Sequence, residues 1–141
     1  MKKIDPKNIF SLFEASDEEI LRNEGHEELL KDDGVLLGMV VNGIENYAFL
    51  NEIYTSKYGN HYLDHADRIQ YRYFDKMYSY LAEIKFNKLE PLLGIVDFLG
   101  EGTIFVSLEE LLEFFVDYEE YEKCAKIKHS MEILESLHVL N

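Results

Sequence analysis

The chain has 141 residues, enough for one buried core and short for two, so a single domain over residues 1–141 is expected. Hydrophobic residues make up 47% and aromatic residues 13%, which excludes a disordered chain. Acidic side chains outnumber basic ones 28 to 14, and a formal charge of −14 repels phosphates, which speaks against direct nucleic-acid binding and for basic partners.

The lysines and arginines are scattered, with no run longer than Lys2-Lys3, so no basic stripe forms. The single cysteine, Cys124, leaves no internal disulfide and fits a reducing compartment, with the cytoplasm as the expected address. Asp5, Pro6 and Lys7 stand where a signal peptide would carry its apolar run, and no stretch approaches membrane-spanning length, so no membrane is expected.

In chain order, PKNIFSLFEA puts Pro6 near a helix start and spaces Ile9, Leu12 and Phe13 on one side. Ser16 opens SDEE, a capping-box pattern ahead of Ile20, Leu21, Leu29 and Leu30. The run VLLGMVV over 35–41 fits a buried strand or the first turns of a helix; from Asn42 onward a helix is expected, stopping at Gly59. The longest periodic segment, 62–86, carries Ala66, Ile69, Tyr73, Met77, Tyr80 and Ile84 on one stripe and Tyr71, Phe74, Tyr78 and Leu81 on a second. An apolar arc this wide needs neighbours on two sides. The segment is expected at the centre of the domain, with its tyrosine-rich side either core or interface.

After Pro91, LLGIVDFLG predicts a short buried helix, and GTIFV is the most strand-like run, a lone extended segment. Ser107 opens SLEE, a second capping box, followed by a face of Leu108, Leu111, Leu112 and Phe115. A further helix carries Tyr121, Cys124, Ile127, Met131 and Leu134, joined through Val116-Asp117, so the two form a helical hairpin over 108–137.

Within this hairpin, Tyr121, Glu122, Ala125, Ile127, Lys128 and Met131, with Cys124 in a small-residue position, are similar to the UVR motif. That motif is the short helical hairpin of nucleotide-excision-repair subunits B and C, also found in Clp-type chaperone ATPases and their regulators. His129 stands where the family has an acidic residue, which weakens a charge pairing the family uses. The resemblance implies protein–protein pairing through the hairpin and no catalysis.

The residues themselves agree in kind. From Leu108 to Lys123, seven carboxylates (Glu109, Glu110, Glu113, Asp117, Glu119, Glu120, Glu122) against one lysine leave a formal −6. Such a block is either a solvated face serving solubility or a patch that steers a basic protein surface, such as that of a nucleic-acid-binding protein. Tyr71 and Tyr78 join these carboxylates as candidate partner-binding residues.

A competing enzyme reading rests on HYLDHAD, where His61 and His65 at i, i+4 would share a helix face and Asp64 could add an oxygen ligand. The glutamate of HExxH is missing, and His129 and His138 would have to be brought close by the fold. Cys124, on an apolar face, reads as an inert hydrophobe. No Gly-rich phosphate loop or serine elbow occurs; no cofactor is expected, and the sequence identifies no reaction. The sequence thus predicts an all-α bundle of about six helices acting as an adaptor, inhibitor or regulatory subunit. Self-association through the aromatic face is a third reading.

Overall fold

The computed structural model describes residues 31–140; the helix expected after Pro6 and the SDEE capping box lie outside these described residues. Among the described residues the fold is all-α, with six helices and no strand: α1 (Asp33–Tyr58), α2 (Asn60–Leu63), α3 (Ala66–Glu83), α4 (Leu89–Leu99), α5 (Glu101–Asp117) and α6 (Tyr121–Leu140).

The ambiguous run 35–41 is helical. Asp32 sits in extended backbone as the N-cap of α1, and its Oδ1 accepts the Val35 N–H at 3.0 Å. A strand here would need an edge to pair with, and the described residues offer none. Because the run is apolar all round, residues 36–41 are all buried, with Leu37, Val40 and Val41 at 0% exposure and Val35 partly buried. Gly59 stops α1 as expected: at φ 56°, ψ −131° it occupies backbone that a Cβ resists, and its N–H reaches the Thr55 carbonyl at 2.9 Å.

The segment 62–86 is one helix only from Ala66. The chain turns at Asp64–His65, which leaves the short α2 in front. Both predicted stripes of α3 find neighbours. Ile69, Tyr73, Met77 and Tyr80 are buried, and Tyr73 donates to the Gly43 carbonyl of α1 at 2.8 Å. On the second side Phe74 meets Phe114 of α5 at 4.4 Å between ring centres. The centre is therefore shared, because α1 packs against α2, α3, α4 and α5 while α3 packs against α1, α2, α5 and α6.

Asp33, in the first turn of α1, is buried and accepts the backbone N–H groups of Lys85 and Phe86, both at 3.2 Å. This one carboxylate fastens the connection after α3 to the start of α1 and holds Phe86 at φ 58°, a conformation rare for a bulky residue.

GTIFV is not extended; it forms the first turns of α5, with Ile104 buried at 1%. Its β-branched residues suggest a strand, but Ile104, Leu108, Leu111 and Phe115 continue one helical face, and burying that face decides the matter. Ser107 is consequently buried within the helix rather than capping it. Nor is α4 a fully buried helix: only Leu92 is buried, and Phe98 is 83% exposed.

Gly34 lets α4 lie against α1. A Cβ at Gly34 would stand 2.5 Å from the Pro91 carbonyl oxygen, whereas one at Gly94 would meet nothing within 4 Å. Gly34→Ala should therefore lower unfolding free energy by about 1–3 kcal/mol through forced separation of the helices. Gly94→Ala, inside an open helix face, should raise it by about 0.5–1 kcal/mol. Urea unfolding of the two variants checks both signs.

Candidate functional site

The hairpin begins where α5 ends. Glu119 has φ 58°; its N–H donates to the Val116 carbonyl at 2.9 Å, and the Glu120 N–H donates to the Phe115 carbonyl at 3.0 Å. These two bonds form a Schellman closure, usually made with glycine at the left-handed position. The turn over Tyr118–Glu120 directs α6 back along α5 and aims Glu120 at α3, while Glu119 is exposed.

At the start of α6, Lys123 turns inward. Its Nζ lies 2.6 Å from Asp75 Oδ1, 3.1 Å from Glu120 Oε1 and 3.3 Å from the Tyr71 hydroxyl. The same ammonium sits over the rings of Phe115, Tyr71 and Tyr78 at 4.9, 5.4 and 5.5 Å. Tyr71 donates its hydroxyl to the Glu120 carboxylate, 2.8 Å from Oε1 and 2.7 Å from Oε2. Burial works against the Lys123 charge, yet the bonds to Asp75, Glu120 and Tyr71 outweigh it and hold the ammonium above the ordinary lysine range. The Tyr71 hydroxyl, given to Glu120, pulls that carboxyl below the usual glutamate value, and Glu120 in turn pushes the Tyr71 phenol up.

The predicted site residues therefore divide into two groups. Tyr71, Tyr78 and Glu120 are half-buried and work inside the molecule, where the tyrosine-rich side of α3 is covered by the hairpin: Tyr71 packs against Phe115 and Tyr118, and Tyr78 against Phe115. Glu109, Glu110, Glu113, Asp117, Glu119 and Glu122 are all exposed. Partial desolvation of its carboxyl and, after it, the neighbouring Glu113 raise the Glu110 pKa although the residue as a whole is exposed. Beside the carboxylates, Val116, Tyr118 and Tyr121 expose apolar surface at the hairpin tip, and Tyr121 at 64% lies outside the buried face on which its spacing placed it. That face of α6 consists of Cys124, Ile127, Ser130, Leu134 and Leu137.

No protein-family model, curated protein or solved structure matches this chain. α5 and α6 form a helical hairpin, and no comparison ties it to the UVR motif or to any other named motif.

The two candidate metal-ligating histidines stand on separate elements. His61 belongs to α2 and His65 occupies the N-cap position of α3, so the two imidazoles do not share one continuous helix face. Arg68 lies 2.9 Å from His65 Nδ1, and Asp64 is exposed. Among the described residues no group of three His, Cys, Asp or Glu converges to hold a metal ion. Cys124 is buried, its Sγ 4.0 Å from the Leu112 carbonyl. No single helix among the described residues is long and apolar enough to cross a membrane.

Tyr71→Phe removes a hydroxyl bonded to a carboxylate while keeping the ring, and should cost about 1–2 kcal/mol in urea unfolding. The sign of the pH effect follows from Glu120. Its pKa is depressed in the folded chain, so its contribution is complete above the ordinary glutamate value of 4.5 and disappears as pH falls through the lower folded value. Glu120→Gln should therefore flatten the loss of stability on the acid side of pH 4.5, read as melting temperature against pH.

Proposed function

We propose that this chain is a non-enzymatic protein–protein interaction module, an adaptor, inhibitor or regulatory subunit, that docks a basic protein partner on the outer face of the α5–α6 hairpin. The carrying observation is the inward turn of Lys123. The lone cation of residues 108–123 is used internally on Asp75 and Glu120, which leaves six exposed carboxylates facing solvent without a cation from their own stretch. A surface of one sign accelerates encounter with an oppositely charged partner and rejects like-charged ones. Tyr118 and Tyr121, exposed among those carboxylates, supply aromatic contact area of the kind that anchors interfaces. A nucleic-acid-binding protein is one partner of suitable charge, its own phosphate-binding face being covered by the hairpin.

The test is capture from native lysate on the immobilised chain, at low and at moderate salt, with mass spectrometry of the bound proteins. A specific basic protein released by moderate salt is the expected result. Glu119→Lys combined with Glu122→Lys should then slow association roughly tenfold with the melting temperature preserved, because neither carboxylate is buried. An unchanged association rate would overturn the reading.

A further inference from the structure

We infer that the groove between α5 and α6 anchors that partner, and that its occupant is a basic amphipathic helix. The inference rests on the docking reading above and specifies where and by what chemistry it operates. The groove has a volume of about 410 Å³. Phe105 and Leu112 of α5 and Met131 of α6 line it with half-buried apolar surface, and Glu109, Glu132 and Glu135 line it with exposed carboxylates. Glu101 and Lys128 complete the lining, so four carboxylates stand against one ammonium.

Phe105, Leu112 and Met131 pack against the margin of the core, beside the buried Ile104, Leu108, Leu111 and Phe115 on one helix and Cys124, Ile127 and Leu134 on the other, and keep part of their surface outward. Two packed antiparallel helices leave a valley into which the ridge of a third can fit. From Glu101 to Leu112 the valley runs about 16 Å at the helical rise, the length of three helical turns. A docking helix would place one apolar side chain per turn on Phe105, Leu112 and Met131, with flanking lysines or arginines reaching the glutamates.

Charge selects among other occupants. A nucleic acid would bring phosphates to carboxylates, and a second copy would bring a chain of formal charge −14 against its own sign. A purely cationic chain would satisfy the glutamates and leave the apolar surface unused. Only an amphipathic cation matches both parts of the lining.

The experiment uses the full chain and two labelled probes of equal charge, a Leu/Lys amphipathic helical peptide of about five turns and an oligolysine. Fluorescence anisotropy at moderate salt should show the Leu/Lys peptide binding more tightly than oligolysine. Met131→Asp should weaken the Leu/Lys peptide at least tenfold and leave oligolysine bound no more weakly, since the added carboxylate only favours a polycation. A photo-crosslinker on the peptide's apolar face should label Met131 or Leu112 of the unmodified chain, which keeps the test valid if Met131→Asp lowers stability. If both probes bind equally, Met131→Asp changes nothing and only Glu119→Lys with Glu122→Lys weakens them, the groove assignment is wrong while the acidic docking face stands. If neither probe binds, both are wrong.

Discussion

The ammonium of Lys123 is the joint on which the hairpin's position depends. Drawn in among the rings of Phe115, Tyr71 and Tyr78, it loses water, and a charge that loses water must find other partners or lose its proton. Asp75 on α3 and Glu120 in the turn supply them, and the ring faces add their negative quadrupoles. The cluster joins α3, α5, the turn and α6 through one atom. It also explains why the second stripe of α3, which looks like an interface when read alone, is occupied within the molecule.

The connections are held by equally local means. The Asp33 carboxylate accepts two successive N–H groups after α3, so the tight turn at Phe86 is over-determined by its bonds despite a positive φ. At the other end of the fold, Glu119 takes the left-handed position that glycine would fill at lower cost. Two backbone bonds to α5 and the Tyr71–Glu120 contact one residue later hold it there. An acidic residue at that point adds a carboxylate to the exposed tip, where glycine would add none.

Much of the helical layout is legible from spacing alone. Ile69, Tyr73, Met77 and Tyr80 on α3, and Leu108, Leu111 and Phe115 on α5, are buried as a period of 3.6 requires. The apolar run at the start of α1 was ambiguous because full burial erases periodicity, and the strand-like GTIFV misleads because β-branching reports local preference while a shared buried face decides. The candidate site is less legible. Glu120 and Lys123 owe their roles to Tyr71 and Asp75, 49 and 48 residues away, and no local pattern encodes such a meeting. Two signals were nonetheless present: Lys123 follows Glu120 by three residues, and it stands one helical turn before the buried Ile127, at the margin of the buried face.

Spatial separation of charge follows from these contacts. Had Lys123 pointed outward, it would have offset Glu119 or Glu122, and the hairpin tip would show the mixed surface that serves solubility. Turned inward, it leaves the six exposed carboxylates of residues 108–123 without a cation from their own stretch, while Lys128 stays exposed further along α6. The tip and the groove then have different physical uses. In the docking proposed above, exposed carboxylates, which act over about a Debye length, would govern how fast a basic partner arrives. The apolar lining at Phe105, Leu112 and Met131 acts only in contact and, on the same proposal, would govern how long the partner stays. Salt should therefore change the first quantity far more than the second, a division that a uniformly acidic, solvated surface has no means to produce.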